Sequence, residues 1–342
     1  MPRVLAVDVG FGTEDVLLYD EARSPENSIK LVLPAMTQRL ARRIRAAEGD
    51  LFIHGETMGG GPLTSAVIQR MRAGHRVLMT PKAAMSIRDD LEEVRAMGVE
   101  IVDKAPPGVE TLETMDIDFE LLKGLLQGIG VEWDFDWVGI AVQDHGHAPA
   151  KSDREFRFER FREALASGTR LHELAFENPP DYYTRMNAVL RTVARHHRGK
   201  SLVVDTKIAA IAGALHGFED YPAISIDVGN GHTMVATVEG GEVLGLLEHH
   251  TGALDPAMLE DLVLRFAEGE VTHEEVFNGG GHGCYIREKV GTANVRHILA
   301  TGPNRGMLRE TGLRVEYPNP FGDVMMTGPV GIVDMGRSRL TP

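Results

Sequence analysis

Two segments of this chain, 219 residues apart from Asp8 to Asp227, share one pattern: an apolar run, Asp-Val-Gly-x-Gly and a second apolar run. The first is VLAVDVGFGTEDVLLYD, from residue 4, and the second is AISIDVGNGHTMVATVE, from residue 223. Each predicts an antiparallel hairpin in which two glycines allow a tight turn. A hairpin that recurs at this distance predicts a chain built from two related halves.

Short β-branched runs alternate with longer helical patterns along the chain, which indicates an α/β protein. On the repeat, we divide the chain into residues 1–196, with an inserted α/β segment at about 21–130, and residues 197–342. The boundary falls near HHRGK, residues 196–200.

The composition argues against several classes of protein. The chain has 50 acidic against 36 basic residues, whereas a general nucleic-acid binder needs a basic face. Cys284 is the single cysteine, so no intrachain disulfide is expected and a reducing, cytoplasmic setting is predicted. We recognise no signal peptide and no apolar run of about 18 residues, so no membrane association is expected. The oligomeric state stays open.

Each hairpin places a carboxylate at the end of a strand and a flexible backbone directly after it. Backbone N–H groups in such a turn can cradle phosphate oxygens, and the carboxylate can hold Mg²⁺ directly or through water. Two such turns facing across a cleft can hold a polyphosphate from both sides. The residues predicted to contact phosphate or Mg²⁺ are Asp8, Gly10, Gly12, Thr13, Asp227, Gly229, Asn230 and Gly231.

Three further segments follow in an order that resembles the actin-like ATPase superfamily of acetate and sugar kinases, heat-shock chaperones and actin. They are VVDTKIAAIAGALHG (203–217), HILATGPNRGMLRE (297–310) and MMTGPVGIVDM (325–335). The first resembles a helix packed closely at the domain junction, the second an adenosine motif and the third a second connecting helix. Pro329 is expected to break or kink that last helix.

The resemblance implies two ribonuclease H-like domains with mixed five-stranded sheets and a cleft between them. It implies ATP and Mg²⁺ as cofactors, with Mg²⁺ positioned by Asp8 and Asp227. The protein would hydrolyse ATP or transfer its terminal phosphate to an unidentified small molecule or protein. Residues that would act on the nucleophile are Gln143, Asp144 and Asp205, and those that would flank the adenine are Gly302 and Arg305.

Two alternatives to this function stay open. One is a non-catalytic module that senses a nucleotide or metabolite and regulates a partner. The other is a metal-dependent enzyme that uses histidine-rich loops and does not need ATP. Glu14 and Asp15 follow the first turn directly, and carboxylates there would repel a triphosphate unless a metal intervenes.

The chain also resembles a narrower group of bacterial and archaeal proteins labelled as pyruvate formate-lyase activating proteins. The matching segments are FIHGETMGGGPLTSAV (52–67), VQDHGHAP (142–149) and FNGGGHGCYI (277–286). A radical-type activase holds an iron–sulfur cluster with three cysteines, and this chain has one. We therefore reject radical-type activation.

A glycine-rich loop precedes a predicted helix at residues 63–73. Free N–H groups and the helix dipole make such a helix start an anion site, although a capped helix with a flexible entry is the simpler interpretation. With the polar loop after the strand at 137–142, it defines a predicted second ligand site. Its residues are His54, Gly59, Gly60, Gly61, Thr64, His145 and His147.

Histidines gather at strand ends and in glycine loops. They are His54, His145, His147, His249, His250 and His282. No Cys/His zinc spacing or helical His-x-x-x-His motif is present. The sequence leaves open whether these side chains bind a metal or hydrogen-bond phosphates and carboxylates.

Overall fold

The computed structural model describes residues 2–149 and 151–340. The strands are β1 (Arg3–Val9), β2 (Thr13–Asp20), β3 (Ile29–Pro34), β4 (Leu51–Gly55), β5 (Val77–Met79), β6 (Glu100–Ile101), β7 (Glu110–Thr114), β8 (Trp137–Val142), β9 (Thr169–Arg170), β10 (Ala175–Phe176), β11 (Lys200–Val204), β12 (Ala223–Val228), β13 (His232–Glu239), β14 (Glu242–His250), β15 (Gly283–Ile286) and β16 (His297–Thr301). The α-helices are α1 (Met36–Ala46), α2 (Gly61–Arg72), α3 (Pro81–Ala84), α4 (Leu91–Ala96), α5 (Phe119–Gly128), α6 (Asp153–Leu165), α7 (Thr184–His196), α8 (Thr206–Ala214), α9 (Pro256–Ala267), α10 (His273–Asn278) and α11 (Thr327–Leu340).

The two repeated hairpins occupy equivalent places in two sheets. The first sheet has the order β10-β11-β8-β1-β2-β3, and the second β15-β14-β13-β12-β16. In each, the first hairpin strand (β1 or β12) pairs antiparallel with the second and parallel with a later strand, β8 or β16. This shared strand order confirms the duplicated α/β fold with mixed sheets. Each sheet has six strands and not the five predicted, because β10 extends the first sheet and β9 pairs with β14 of the second.

The sheets do not follow the predicted boundary at 196–197. Strand β11 lies after it but pairs with β8 of the first sheet, whereas β9 lies before it but pairs with β14 of the second. The inserted unit is also narrower than 21–130. Its parallel sheet, β6-β5-β4-β7, and helices α1 to α4 span residues 36–114, since β3 pairs with β2 and α5 packs on the first sheet.

Helices α8 and α11 cross at the centre of the molecule, in a core shared by both sheets. A Cβ on Gly213 would lie 1.8 Å from the carbonyl oxygen of Thr327, and one on Gly331 1.9 Å from that of Ala209. Only glycine permits this approach. Pro329 does not break α11, because it falls in the first turn, where backbone N–H groups have no helical partner. Among the described residues, no helix has the length and apolar character needed to cross a membrane.

The crossing predicts a marked loss of stability for Gly331→Val, because the new side chain must displace the backbone of α8. We expect the free energy of unfolding to fall by about 2 kcal/mol or more in urea denaturation. Gly124→Ala in α5 is the matched control, since a Cβ there meets nothing within 4 Å. It should stabilise the helix by about 0.5–1 kcal/mol. Equal stability of the parent and the Gly331→Val variant would contradict the close crossing.

Candidate functional site

A cavity of about 650 Å³ is lined by both hairpins, the start of α8, the glycine-rich loop and the loop after β8. Most of the predicted site residues line it: Asp8, Gly10, Thr13, Gly59, Gly60, Gly61, Thr64, Gln143, Asp144, His145, Asp227, Gly229, Asn230, Gly231 and Gly302. The predicted residues that are not part of its lining are Gly12, His54, His147, Asp205 and Arg305. The predicted phosphate turns and the predicted second ligand loop therefore share one cavity.

The two hairpin turns have the same local structure and touch each other. The N–H of Gly10 donates to the carbonyl of Thr13 at 2.8 Å, and the N–H of Gly229 donates to that of His232 at 3.0 Å. A Cβ on Gly12 would lie 3.0 Å from Nδ2 of Asn230. A ligand between the turns can contact both. Glycine at position 12 allows the turns to lie this close, because a side chain there would press against Asn230.

Two consecutive residues of α8 hold the two repeated aspartates. The hydroxyl of Thr206 donates to Oδ1 of Asp8 at 2.5 Å. Nζ of Lys207 donates to Oδ2 of Asp227 at 2.6 Å and to the carbonyl of His232 at 2.8 Å. The start of α8 therefore sets the positions of both carboxylates, a role that the sequence pattern alone did not assign to Thr206.

The start of α8 is itself held by Arg157 of α6, which is 3% exposed. Its guanidinium donates to both carboxylate oxygens of Asp205, at 2.7 and 3.1 Å, and to Glu248 at 2.7 Å. Asp205 also caps α8 by accepting from the N–H of Lys207 at 2.9 Å. Both oxygens of Asp205 accept hydrogen bonds in this network, and Asp205 does not line the cavity, so its predicted action on a nucleophile stays a prediction.

Gln143 and Asp144 both line the cavity, but they are bound differently. Nε2 of Gln143 donates to Glu248 at 2.9 Å, which leaves its amide oxygen as an acceptor. The carboxylate of Asp144 accepts from the N–H groups of Gly146, at 2.8 Å, and Met186, at 2.9 Å. Burial raises the pKa of Asp144 to about 6. Asp144 fixes its own loop, and Gln143 is the residue better placed to orient a ligand.

Asp8 and Asp15 lie directly opposite each other on β1 and β2, and both line the cavity. Burial raises the pKa of Asp8 to about 7 and that of Asp15 to about 8, and each is raised further by a neighbouring carboxylate. Oδ1 of Asp15 is buried and has no hydrogen-bond partner among the described residues. Lys207 forms an ion pair with Asp227, whereas Asp8 and Asp15 form no ion pair with any of the described residues.

The glycine-rich loop is held rigidly against the cavity. The N–H of Gly59 donates to Asp116 at 3.2 Å, and Arg185 binds both oxygens of Asp116, at 2.7 and 2.8 Å. A Cβ on Gly60 would lie 1.9 Å from the carbonyl of Ser86. The loop leads directly into α2, so the start of this helix borders the cavity.

Three predicted residues lie elsewhere. The ring of His54 stacks on Phe52 in β4. His147 faces Asp89, with 3.6 Å between Nδ1 and Oδ2. Arg305 donates to the carbonyl of Gly302 at 3.1 Å and stabilises that turn, so the structure does not bring its side chain to the cavity.

The histidines separate into distinct groups. His250 and His282 lie beside His232, which the sequence analysis did not single out, and one ring nitrogen of each lies within 4.8 Å of the others. The ring of His145 is 5.2 Å from that of His282. Burial lowers the pKa of His232 to about 3. His249 is buried with Nδ1 3.2 Å from the carbonyl of His250 and is not a member of this group.

A family model described as "Putative pyruvate format-lyase activating enzyme (DUF1786)" matches residues 58–307. The chain belongs to this family. The DUF1786 match includes the glycine-rich loop, α8 and the second hairpin, and it leaves out the first hairpin and α11. No curated protein matches the chain.

Solved structures similar to this DUF1786 member have low sequence identity. An activator of the 2-hydroxyisocaproyl-CoA dehydratase from Clostridium difficile with bound ADPNP is 9% identical, with a TM-score of 0.39 over 99% of this chain and 98% of that one. The ethanolamine utilization protein EutJ from Carboxydothermus hydrogenoformans is 12% identical, with a TM-score of 0.35 over 98% and 91%. The strand order of the two sheets, and not these similarities, establishes the duplicated α/β fold.

Arg157 should be far more important for stability than an exposed arginine of the same helix. Arg157→Gln leaves Asp205 and Glu248 buried without their cation, so we expect a loss of about 3–5 kcal/mol in the free energy of unfolding. Arg162→Gln, at an exposed position of α6, is the matched control and should change it by no more than about 0.5 kcal/mol. Similar losses in both variants would contradict this role.

Asp15 should make stability depend on pH. Burial raises its pKa to about 8 in the folded protein, whereas the unfolded chain ionises near pH 4. The group therefore favours the folded state below about pH 4, and this contribution is lost as the pH rises to about 8. We expect Asp15→Asn to gain stability relative to the parent across this window in urea denaturation without divalent cations.

The matched control for this pH dependence is Asp20→Asn, at the far end of the same strand. This variant keeps the Asp15 carboxyl, so its stability should fall across the same pH window as that of the parent. A pH-independent difference between Asp15→Asn and the parent would show that Asp15 is not the titrating group.

Proposed function

We propose that this protein binds ATP with Mg²⁺ in the cavity and hydrolyses ATP or transfers its terminal phosphate to an acceptor. The observation that carries the proposal is the joint fixation of Asp8 and Asp227 by Thr206 and Lys207. It holds two phosphate-type turns against each other around a single cavity. About 650 Å³ lies within the range of small-molecule and cofactor sites.

The turns would bind the phosphates through backbone N–H groups, which such conformations aim at an anion. Lys207 adds a buried cation that already contacts the second turn at the carbonyl of His232. The close approach of Gly12 to Asn230 brings both turns within reach of one polyphosphate chain.

Asp8 and Asp15 fit a divalent cation. Mg²⁺ prefers carboxylate oxygens and water, and Asp15 offers a buried oxygen without a hydrogen-bond partner among the described residues. A bound Mg²⁺ would supply charge neutralisation for the phosphates. The two carboxylates would become ionised next to it. The positive charge of Mg²⁺ would offset the repulsion expected between Asp15 and a triphosphate.

The acceptor would lie on the side of the glycine-rich loop. Gly60, Gly61 and the start of α2 border the cavity, and the N–H groups of a helix start suit an anionic or polar substrate. The amide oxygen of Gln143, which also lines the cavity, would orient the attacking water or hydroxyl. Arg185 would hold the loop in place through Asp116 and position Gln143 through its carbonyl.

Calorimetric titration with ATP and Mg²⁺ tests the proposal. Asp8→Asn removes a proposed Mg²⁺ ligand, and Asp227→Asn removes the carboxylate that holds Lys207 at the second turn, so we expect affinity to fall about 10- to 100-fold. Asp20→Asn, in the first hairpin but outside the cavity, is the control and should bind like the parent. Phosphate release measured on the same samples separates an enzyme from a binding module.

Either of two results would contradict the proposal. The first is a parent protein that does not bind ATP in the presence of Mg²⁺. The second is equal affinity in the parent, Asp8→Asn and Asp227→Asn, which would place the nucleotide elsewhere. Binding without turnover would remove the catalytic part of the proposal.

A further inference from the structure

We propose that His232, His250 and His282 form a binding site for a divalent transition metal, next to the nucleotide cavity. The inference does not depend on nucleotide binding. It concerns a cation of a different class from the one at Asp8 and Asp15, because imidazole nitrogens suit Zn²⁺ and related metals, whereas carboxylate oxygens suit Mg²⁺.

Three neighbouring strands bring the histidines together. His232 begins β13 and His250 ends β14, and they are direct partners in the antiparallel ladder. His282 immediately precedes β15, and its N–H donates to the carbonyl of Glu248 in β14 at 2.9 Å. The site is therefore built on the ladder of the second sheet and not on a loose surface loop.

A β-bulge selects which histidine joins the site. The register shifts by one residue between Thr237 and Val238. If the pairing next to the turn continued without this shift, His249 would lie opposite His232. The shift places His250 there instead, while His249 is buried away from the cluster.

The three rings are close enough to share an ion. Their centroids are 4.6, 4.7 and 5.1 Å apart, and one nitrogen of each lies within 4.8 Å of the others. Metal–nitrogen bonds of about 2.0–2.1 Å in a tetrahedral site put ligand nitrogens about 3.4 Å apart. Small ring rotations would close the remaining gap.

His282 supports a metal role by its own environment. It is 2% exposed, and Nδ1 makes no hydrogen bond among the described residues. This atom lies 3.4 Å from Oε2 of Glu248, which is fixed by Arg157 and Gln143. A carboxylate facing one ring nitrogen leaves the other for the metal, the usual arrangement around metal-binding histidines.

Three protein ligands leave a fourth position open, as in catalytic zinc sites. His232 and His145 line the nucleotide cavity, so the open position would be on that side. A water molecule or a substrate oxygen in the cavity would be the natural fourth ligand. His145 is the nearest further imidazole, with its ring 6.4 Å from that of His232.

Metal binding by the full-length protein tests the inference. After chelation, the protein is titrated with Zn²⁺ by calorimetry and with Co²⁺ by visible absorption, in excess Mg²⁺. We expect one ion per chain and a four-coordinate Co²⁺ spectrum. His250→Ala should weaken binding about 100-fold or more, since losing even a supporting contact of a ligand costs 10- to 100-fold.

His250 is the most exposed member of the cluster, so its variant should fold normally, which the thermal unfolding curve would show. His75→Ala, in the turn after α2, is the matched control and should bind like the parent. Failure of the parent to bind Zn²⁺ and Co²⁺ would overturn the inference. Equal affinity in the parent, His250→Ala and His282→Ala would also overturn it.

Discussion

The buried guanidinium of Arg157 is the interaction on which the rest of the site depends. A buried arginine is tolerated only when carboxylates compensate for its lost hydration, and here Asp205 and Glu248 both do so. Asp205 precedes α8 and Glu248 lies in β14, so one side chain ties the start of the central helix to the second sheet. The main effect of this buried pairing is to fix the positions of Asp205 and Glu248.

Two consequences follow from this fixation. Through Asp205, it sets the first turn of α8, whose Thr206 and Lys207 bind the repeated aspartates. Arg157 also fixes Glu248, whose carboxylate accepts from the side chain of Gln143 and faces His282. One buried network therefore holds residues of both the cavity and the histidine cluster in place.

Electrostatics determines what the cavity can accept. Asp8 and Asp15 are buried opposite each other, and Lys207 forms its ion pair with Asp227 and with neither of these two. Burial raises the pKa of Asp8 to about 7 and that of Asp15 to about 8, and a cation bound between them would lower both pKa values. Under the proposed function, Mg²⁺ would enter with the nucleotide, and the two carboxyls would release their protons next to it.

The sequence predicted the features that depend on local pattern. The Asp-Val-Gly-x-Gly repeat identified both turns, and the small-residue run after Asp205 identified the helix at the junction. It could not show Arg157, because the DREFRFERF segment of α6 contains several arginines and only packing distinguishes the buried one. For the same reason it could not show that Asp205 binds Arg157, which is 48 residues away.

The sequence analysis did not single out His232, because its partner depends on the register of two strands. The pairing of His232 with His250 depends on a bulge at Thr237–Val238, and an alternating pattern does not reveal a bulge. The extra strand β10 and the placement of β11 likewise depend on long-range pairing. The features that the sequence did not predict depend on contacts between distant segments of the chain.

Hydrogen–deuterium exchange with and without Mg²⁺ and a non-hydrolysable ATP analogue tests the central claim most directly. The claim is that both turns, residues 9–13 and 228–232, hold one polyphosphate. It predicts that amides of both turns become protected together at the same ligand concentration. Protection of one turn alone, or of neither turn while another surface responds, would contradict it.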